Sequence, residues 1–126
     1  MSEIGTDAVL GANAAFYRAM RMGDLAAMAR LWSERRPVSC AHPGGPVLFG
    51  RDAVIESWRA ILHDTAPPPI VADAPRPVVT GPSALVLCVE RIGAHRLMAV
   101  NTFLREDGRW RMIGHRAEEL PSDERR

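Results

Sequence analysis

The sequence predicts an α+β domain in which three helices lie on one face of an antiparallel sheet. Two observations predict it: apolar residues recur at three- and four-residue steps through the first half, and the second half carries strand-like apolar runs divided by turn signals. A third is length, because 126 residues suit one domain with a core of its own. The core is placed at about 8–117, followed by a polar tail over 118–126 that is expected to fray.

A first helix is predicted over 7–22, with Val9, Ala12, Phe16, Ala19 and Met20 on one face and Asp7 as N-cap. Gly23 can end it in a left-handed conformation, and Asp24 then caps a second helix with Leu25, Met28, Ala29 and Trp32 on its apolar side. Pro37 closes that helix. Val38–His42 reads as a short strand, ended by the turn Pro43-Gly44-Gly45-Pro46. Val47-Leu48-Phe49 leads to Gly50 and a third helix over 51–63, in which Val54, Ile55, Trp58, Ile61 and Leu62 repeat at helical spacing. Five of the ten prolines (Pro67, Pro68, Pro69, Pro75, Pro77) fall in 65–77, which predicts a loop with a short edge strand around 70–73.

Three strands follow. Ser83–Arg91 holds the continuous apolar run Leu85–Val89, expected to be buried on both faces. Gly93-Ala94 turns into His95–Arg105, and Asp107-Gly108 is a strong hairpin signal into Arg109–Ala117. Glu90 and Arg96 are candidates for a pair on the sheet's outer face.

Composition excludes several function classes. Sixteen basic and fifteen acidic residues leave +1, so no field gathers nucleic acid or an anionic membrane. Every one of the sixteen cations is Arg, which removes Schiff-base chemistry and a phosphate-loop lysine. Cys40 and Cys88 lie in apolar runs 48 residues apart, no metal knuckle or redox pair, and are expected as buried small apolar groups. The acidic N-terminus has no signal-peptide pattern and no apolar run is long enough to span a bilayer, so a cytoplasmic location is expected. There is no GxSxG, no HExxH and no glycine-rich phosphate cradle.

The polar residues that stand out are His42, before a Pro-Gly-Gly turn, Asn101, which interrupts an apolar strand, and His115 in the last strand. Each has a structural alternative: a ring that fixes the turn, an amide paired inside the core, a solvated strand end. Trp32, Trp58 and Trp110 are core by position. A Cys40–His42 dyad is disfavoured because nothing in the sequence orients the imidazole.

The strings Phe16-Tyr17-Arg18-Ala19-Met20, Gly23-Asp24-Leu25 and Met28-Ala29-Arg30-Leu31-Trp32 resemble the opening of the SnoaL-like branch of the nuclear transport factor 2-like superfamily. So do Val38–Gly45, Phe49–Val54 with Ser57-Trp58, and the closing Gly108–His115, together covering about 8–117. The resemblance implies a cystatin-like fold: a curved antiparallel sheet rolled into a cone and closed by three helices, commonly a homodimer through the sheet's outer face. The superfamily includes isomerases, cyclases, dehydratases and epoxide hydrolases, and also non-catalytic transport and association domains, so fold alone does not decide function.

Set on the ketosteroid isomerase pattern, the general-base aspartate falls at His42, the oxyanion-hole aspartate at Asn101 and the oxyanion tyrosine at Phe16, with Tyr17 beside it on another helix face. His115 falls on a cavity-lining position. The isomerase's own groups are therefore not retained, yet the positions stay partly polar. The expectation is a cone that binds an apolar small molecule, with His42 as acid or base, Asn101 as oxyanion donor and His115 as second proton carrier. Phe16, Tyr17, Trp32, Trp58, Leu97 and Phe103 line it. No cofactor is implied, and two histidines without a thiol or carboxylate make a thin metal-ligand set. The alternative is a non-catalytic dimerisation or association module.

Overall fold

A computed structural model describes residues 2–64 and 69–121. Helix α1 spans Ser2–Met22, α2 Leu25–Leu31 and α3 Arg51–Asp64; the strands are β1 Ser39–Ala41, β2 Val47–Phe49, β3 Val71–Thr80, β4 Ser83–Ile92, β5 His95–Glu106 and β6 Arg109–Glu119. They form one curved, unclosed sheet in the order β2-β1-β6-β5-β4-β3. The helices cover its concave face, the α+β cone that the resemblance implies. The sheet is mixed rather than wholly antiparallel, because β1 runs parallel to β6. A parallel neighbour needs a long crossover, and α3 with four strands supplies it.

Helix α1 begins five residues ahead of Asp7, which is exposed within the helix and is not its cap. The buried Gly5 packs over Val79 of β3, and this tertiary contact carries the helix past the cap-like residue. Asp24 does cap α2, its carboxylate accepting from the Ala27 amide at 3.0 Å. That helix stops at Leu31, well before Pro37: Trp32 turns extended and bridges Met112 of β6, and the Ser33 amide donates to the Met112 carbonyl at 2.9 Å. Pairing with the sheet competes for the backbone and wins.

The proline-rich stretch also differs. Pro67 and Pro68 lie outside the described residues, as do residues 122–126 of the tail; Glu118 and Glu119, expected to fray with it, instead pair with Met98 and Leu97 at the end of β6. Pro75 and Pro77, however, sit inside a ten-residue strand. They are tolerated because β3 pairs only with β4 and is the sheet's edge, where a missing N–H costs no ladder bond. A bulge between Asp73 and Arg76, with Ala74 at φ 50°, absorbs the irregularity. Strand β4 is buried on one face, not two: Ala84, Val86, Cys88 and Glu90 point into the core, and Leu85, Leu87 and Val89 are half-buried on the outer face. Glu90 thus lies on the opposite face from the one expected. It stands across from Leu97, while Arg96 stands across from Arg91.

The core lies between sheet and helices. Val9, Phe16 and Met20 from α1, Met28 from α2, and Val54, Trp58 and Leu62 from α3 meet Val86, Ala99, Phe103 and Met112. The three tryptophans and both cysteines are buried, as their sequence positions predict. No helix among the described residues is long and apolar enough to cross a membrane.

Candidate functional site

Strand register sets a polar row across the concave face. Cys40 stands opposite His115, and His115 opposite Asn101, so β1, β6 and β5 place three polar side chains side by side. Two steps along β4 from Val86, the partner of Asn101, come Cys88 and then Glu90. Helix α1 lies over this row and lowers Asn13 and Tyr17, four residues apart and so on one helix face, onto it.

The result is a continuous buried hydrogen-bond network. Asn101, with no exposed surface, accepts from His115 Nδ1 at 2.6 Å and donates through Nδ2 to Asn13 Oδ1 at 2.8 Å and to the Tyr17 hydroxyl at 3.0 Å. Tyr17 donates in turn to Glu90 Oε2 at 2.6 Å, and its oxygen lies 3.3 Å from Cys88 Sγ. Glu90 Oε2 is 4.0 Å from His115 Nε2, which nearly closes the ring of partners. Because Asn101 Oδ1 can only accept, the His115 proton sits on Nδ1. Every amide proton of Asn101 is thereby committed inside the protein.

Burial governs the charge states. The His115 imidazole is pushed down to about 3, first by burial and then by repulsion from His42, so it is neutral. Burial pushes the Glu90 carboxyl up, against the opposing pull of the Tyr17 hydrogen bond. The Tyr17 phenol is held far above its usual range by burial and by Glu90. Burial raises Cys88, and the Cys40 thiol is pushed up to about 12 by burial and then by Glu90. None of these groups is a ready nucleophile.

His42 is different. It follows β1 directly and is only half-buried. Its Nε2 lies 2.9 Å from Ser57 Oγ, and Ser57 donates its own proton to the Val54 carbonyl at 2.6 Å. Ser57 must therefore accept from His42 Nε2–H, which leaves Nδ1 as the ring's lone-pair nitrogen. Something does orient this imidazole, and it is Ser57 from α3. Cys40 Sγ lies 3.7 Å from the same Nε2, but its raised thiol keeps the pair from being a thiolate–imidazolium dyad. Burial lowers the His42 pKa, so the ring is neutral at pH 7.

An aromatic wall joins His42 to the network. Trp58 meets His42 edge-on at 4.8 Å between ring centres and His115 at 5.8 Å; Phe16 lies 5.0 Å from His115 and 5.5 Å from Trp58. The two histidine rings are 6.4 Å apart. Trp58 Nε1 is buried and has no hydrogen-bond partner among the described residues.

The structure thus brings His42, His115, Asn101, Phe16, Tyr17 and Trp58 together. Leu97 is on the same concave face opposite Glu90. Trp32 and Phe103 are buried one step further toward the β5–β6 turn, where both adjoin Met112. Asn13, Ser57, Cys88 and Glu90 belong to the cluster as well, and sequence reasoning passed over them as site residues. Asn13 falls on the α1 stripe of Val9, Phe16 and Met20, and Glu90 follows Val86 and Cys88 at a period of two. Both signals were present, masked by the apolar residues on the other face of β4. Among the described residues, no three His, Cys, Asp or Glu side chains are arranged to hold a metal ion.

Comparison with known proteins defines the class. The SnoaL-like domain model matches residues 9–117, and the chain belongs to that family, within the NTF2-like superfamily. A provisionally named dehydratase of the NTF2-like family from Streptomyces avermitilis is 30% identical, with a TM-score of 0.89 over 97% of this chain and 100% of that one. A provisionally named calcium/calmodulin-dependent protein kinase type II association domain from Thiobacillus denitrificans is 27% identical, with a TM-score of 0.78 over 87% of this chain and 93% of the other. The F-box protein SKIP8 of Arabidopsis thaliana is 26% identical over 94% of this chain, which spans 52% of that protein.

Proposed function

We propose that this domain binds a small apolar carbonyl compound at the concave face and catalyses a proton transfer of the dehydratase or isomerase type, with His42 as acid and base. The observation that carries the reading is the fixed, neutral, half-exposed His42 beside an otherwise buried polar network. Likeness to a provisionally named dehydratase supports the reaction class. His42 Nδ1 takes a proton from the carbon next to the carbonyl, and the electron pair moves onto the carbonyl oxygen. Asn101 was the expected donor to that oxygen, but its protons are committed. The Trp58 indole N–H, buried and unpartnered beside His42, takes that role. In a dehydration the pair returns to form the double bond, and the β-hydroxyl leaves as water with the proton held by His42. In an isomerisation the proton returns at another carbon. Asn101, Tyr17, Glu90 and His115 position this site rather than react in it.

The test is solvent deuterium exchange into a panel of apolar β-hydroxy ketones, followed by proton NMR. The unaltered protein is expected to accelerate exchange. His42→Gln is expected to abolish the acceleration while leaving the thermal midpoint nearly unchanged. A loss of stability with no exchange in either protein would return His42 to a structural role.

A second reading has its own support. The outer sheet face carries Met98, which is exposed, and half-buried Leu87, Val89 and Val100 in adjoining register rows. Such a stripe calls for cover, and a second copy of the chain, joined face to face, is the homodimer we propose. Likeness to a provisionally named association domain supports that assembly as a function in itself.

A further inference from the structure

A cavity of about 290 Å3 lies at the opposite edge of the sheet from His42, between α1 and the edge strand β3. Its floor is formed by Asn13 and Tyr17, both almost fully buried. Leu10 and Ala14 of α1 make one wall, and Val71 and Pro75 of β3 the other. Arg21 stands at the rim and carries the single charge among the lining residues. We infer that this cavity is a second binding site, separate from the His42 site, and that it takes a small monocarboxylate with an apolar body.

Four features point the same way. First, the polar groups at the floor are already engaged: the Tyr17 hydroxyl serves Glu90, Asn13 Oδ1 serves Asn101, and the Asn13 side chain also hydrogen-bonds Cys88. The floor therefore offers a ligand no free polar group, and the walls of Leu10, Ala14, Val71 and Pro75 are apolar, so the part that enters is apolar. Second, the guanidinium of Arg21 is held at the rim by one bond, Nη1 to the Ile70 carbonyl at 3.3 Å, and presents its remaining N–H donors in the planar fork that suits a carboxylate. Third, the strand opens here. The bulge between Asp73 and Arg76 holds Ala74 in the left-handed region at φ 50°, an energetically costly conformation for a residue with a Cβ. Its neighbour Pro75, which has no N–H to satisfy, faces the cavity. Strain kept at the lip of a cavity fits a binding role. Fourth, the volume of about 290 Å3 lies just below the ~300–1,000 Å3 of usual ligand pockets, which limits the ligand to a small one.

The site has a built-in reporter, because Tyr17 is the chain's one tyrosine. In protein carrying ring-13C-labelled tyrosine, its resonance is followed while hexanoate is added. A saturable shift is expected. Ala14→Leu, at an exposed helical position that tolerates leucine, is expected to abolish it by filling the cavity. Arg21→Gln is expected to weaken binding about three- to fivefold, the loss of one partly exposed ion pair. 1-Hexanol is expected to bind more weakly and to be indifferent to Arg21→Gln. The inference is overturned by the absence of a saturable shift, by a shift that survives Ala14→Leu, or by hexanol binding as tightly as hexanoate. It is also overturned if His42→Gln abolishes the shift, because the ligand then lies in the cone. Failure of the proton-transfer reading leaves this outcome untouched, since the two sites share neither His42 nor Trp58.

Discussion

Asn101 shows how much one buried amide can organise. It accepts one hydrogen bond and donates two, tying strand β6, helix α1 and, through Tyr17, strand β4 into one unit. Asn101→Leu would strand the His115 Nδ1–H and the Asn13 carbonyl in a dry core, and is expected to cost ~2–4 kcal/mol, read as a fall in the urea midpoint. Glu90 and His115 shift in opposite directions on folding. The His115 pKa falls on folding, so its contribution is complete above the unfolded value of 6.5 and is lost as pH drops from there toward about 3. The Glu90 pKa rises on folding, so its effect has the opposite sign: stability is lost as pH rises above the unfolded value of 4.5 through the raised one. Glu90→Gln keeps an acceptor for Tyr17 and removes the buried charge. It is expected to be more stable than the parent at pH 8 and to lose that advantage below pH 4.5, as thermal midpoints across pH would show.

At the scale of elements, the edge strand β3 is the least expected part of the fold. Pro75 and Pro77 argue against a strand when the sequence is taken alone, and only the sheet's order makes them acceptable, because order decides which strand lacks a second neighbour. Ala74→Gly at the bulge is expected to raise stability by about 0.5–1 kcal/mol, as relief of the left-handed conformation outweighs glycine's added entropy in the unfolded chain. Equilibrium denaturation measures the difference. Other elements were legible from local chemistry: the Asp24 cap, the Asp107-Gly108 turn and the helical stripe through Val54, Trp58 and Leu62 all stand where spacing places them. The candidate site was legible at His42, Asn101 and His115 because polar residues in apolar strands are conspicuous. Glu90 was not, since in an isolated run both faces of β4 look equally apolar, and only register with β5 assigns it to the inner one. Ser57 escaped notice because its role is visible only once α3 is laid against His42.

For the whole molecule, the concave face is closed by helices and carries the polar network, while the convex face is left to an apolar stripe. Val100→Glu, at the centre of that stripe, is expected to convert the proposed homodimer to a monomer in light scattering while the circular dichroism spectrum is retained. An unaltered dimer would place the contact elsewhere. The seam between β1 and β6 has a further consequence. His42 is positioned by a strand that holds no partner but its own hairpin until the last strand of the domain arrives beside it. Contacts between residues so distant along the chain form slowly and late. During synthesis the ribosome therefore releases nearly the entire domain before the imidazole can take its place. A chain stopped within β5 would fold, at best, into helices and a meander without the proposed proton-transfer site. The proposed activity thus depends on the whole domain and on the closing of one short parallel ladder.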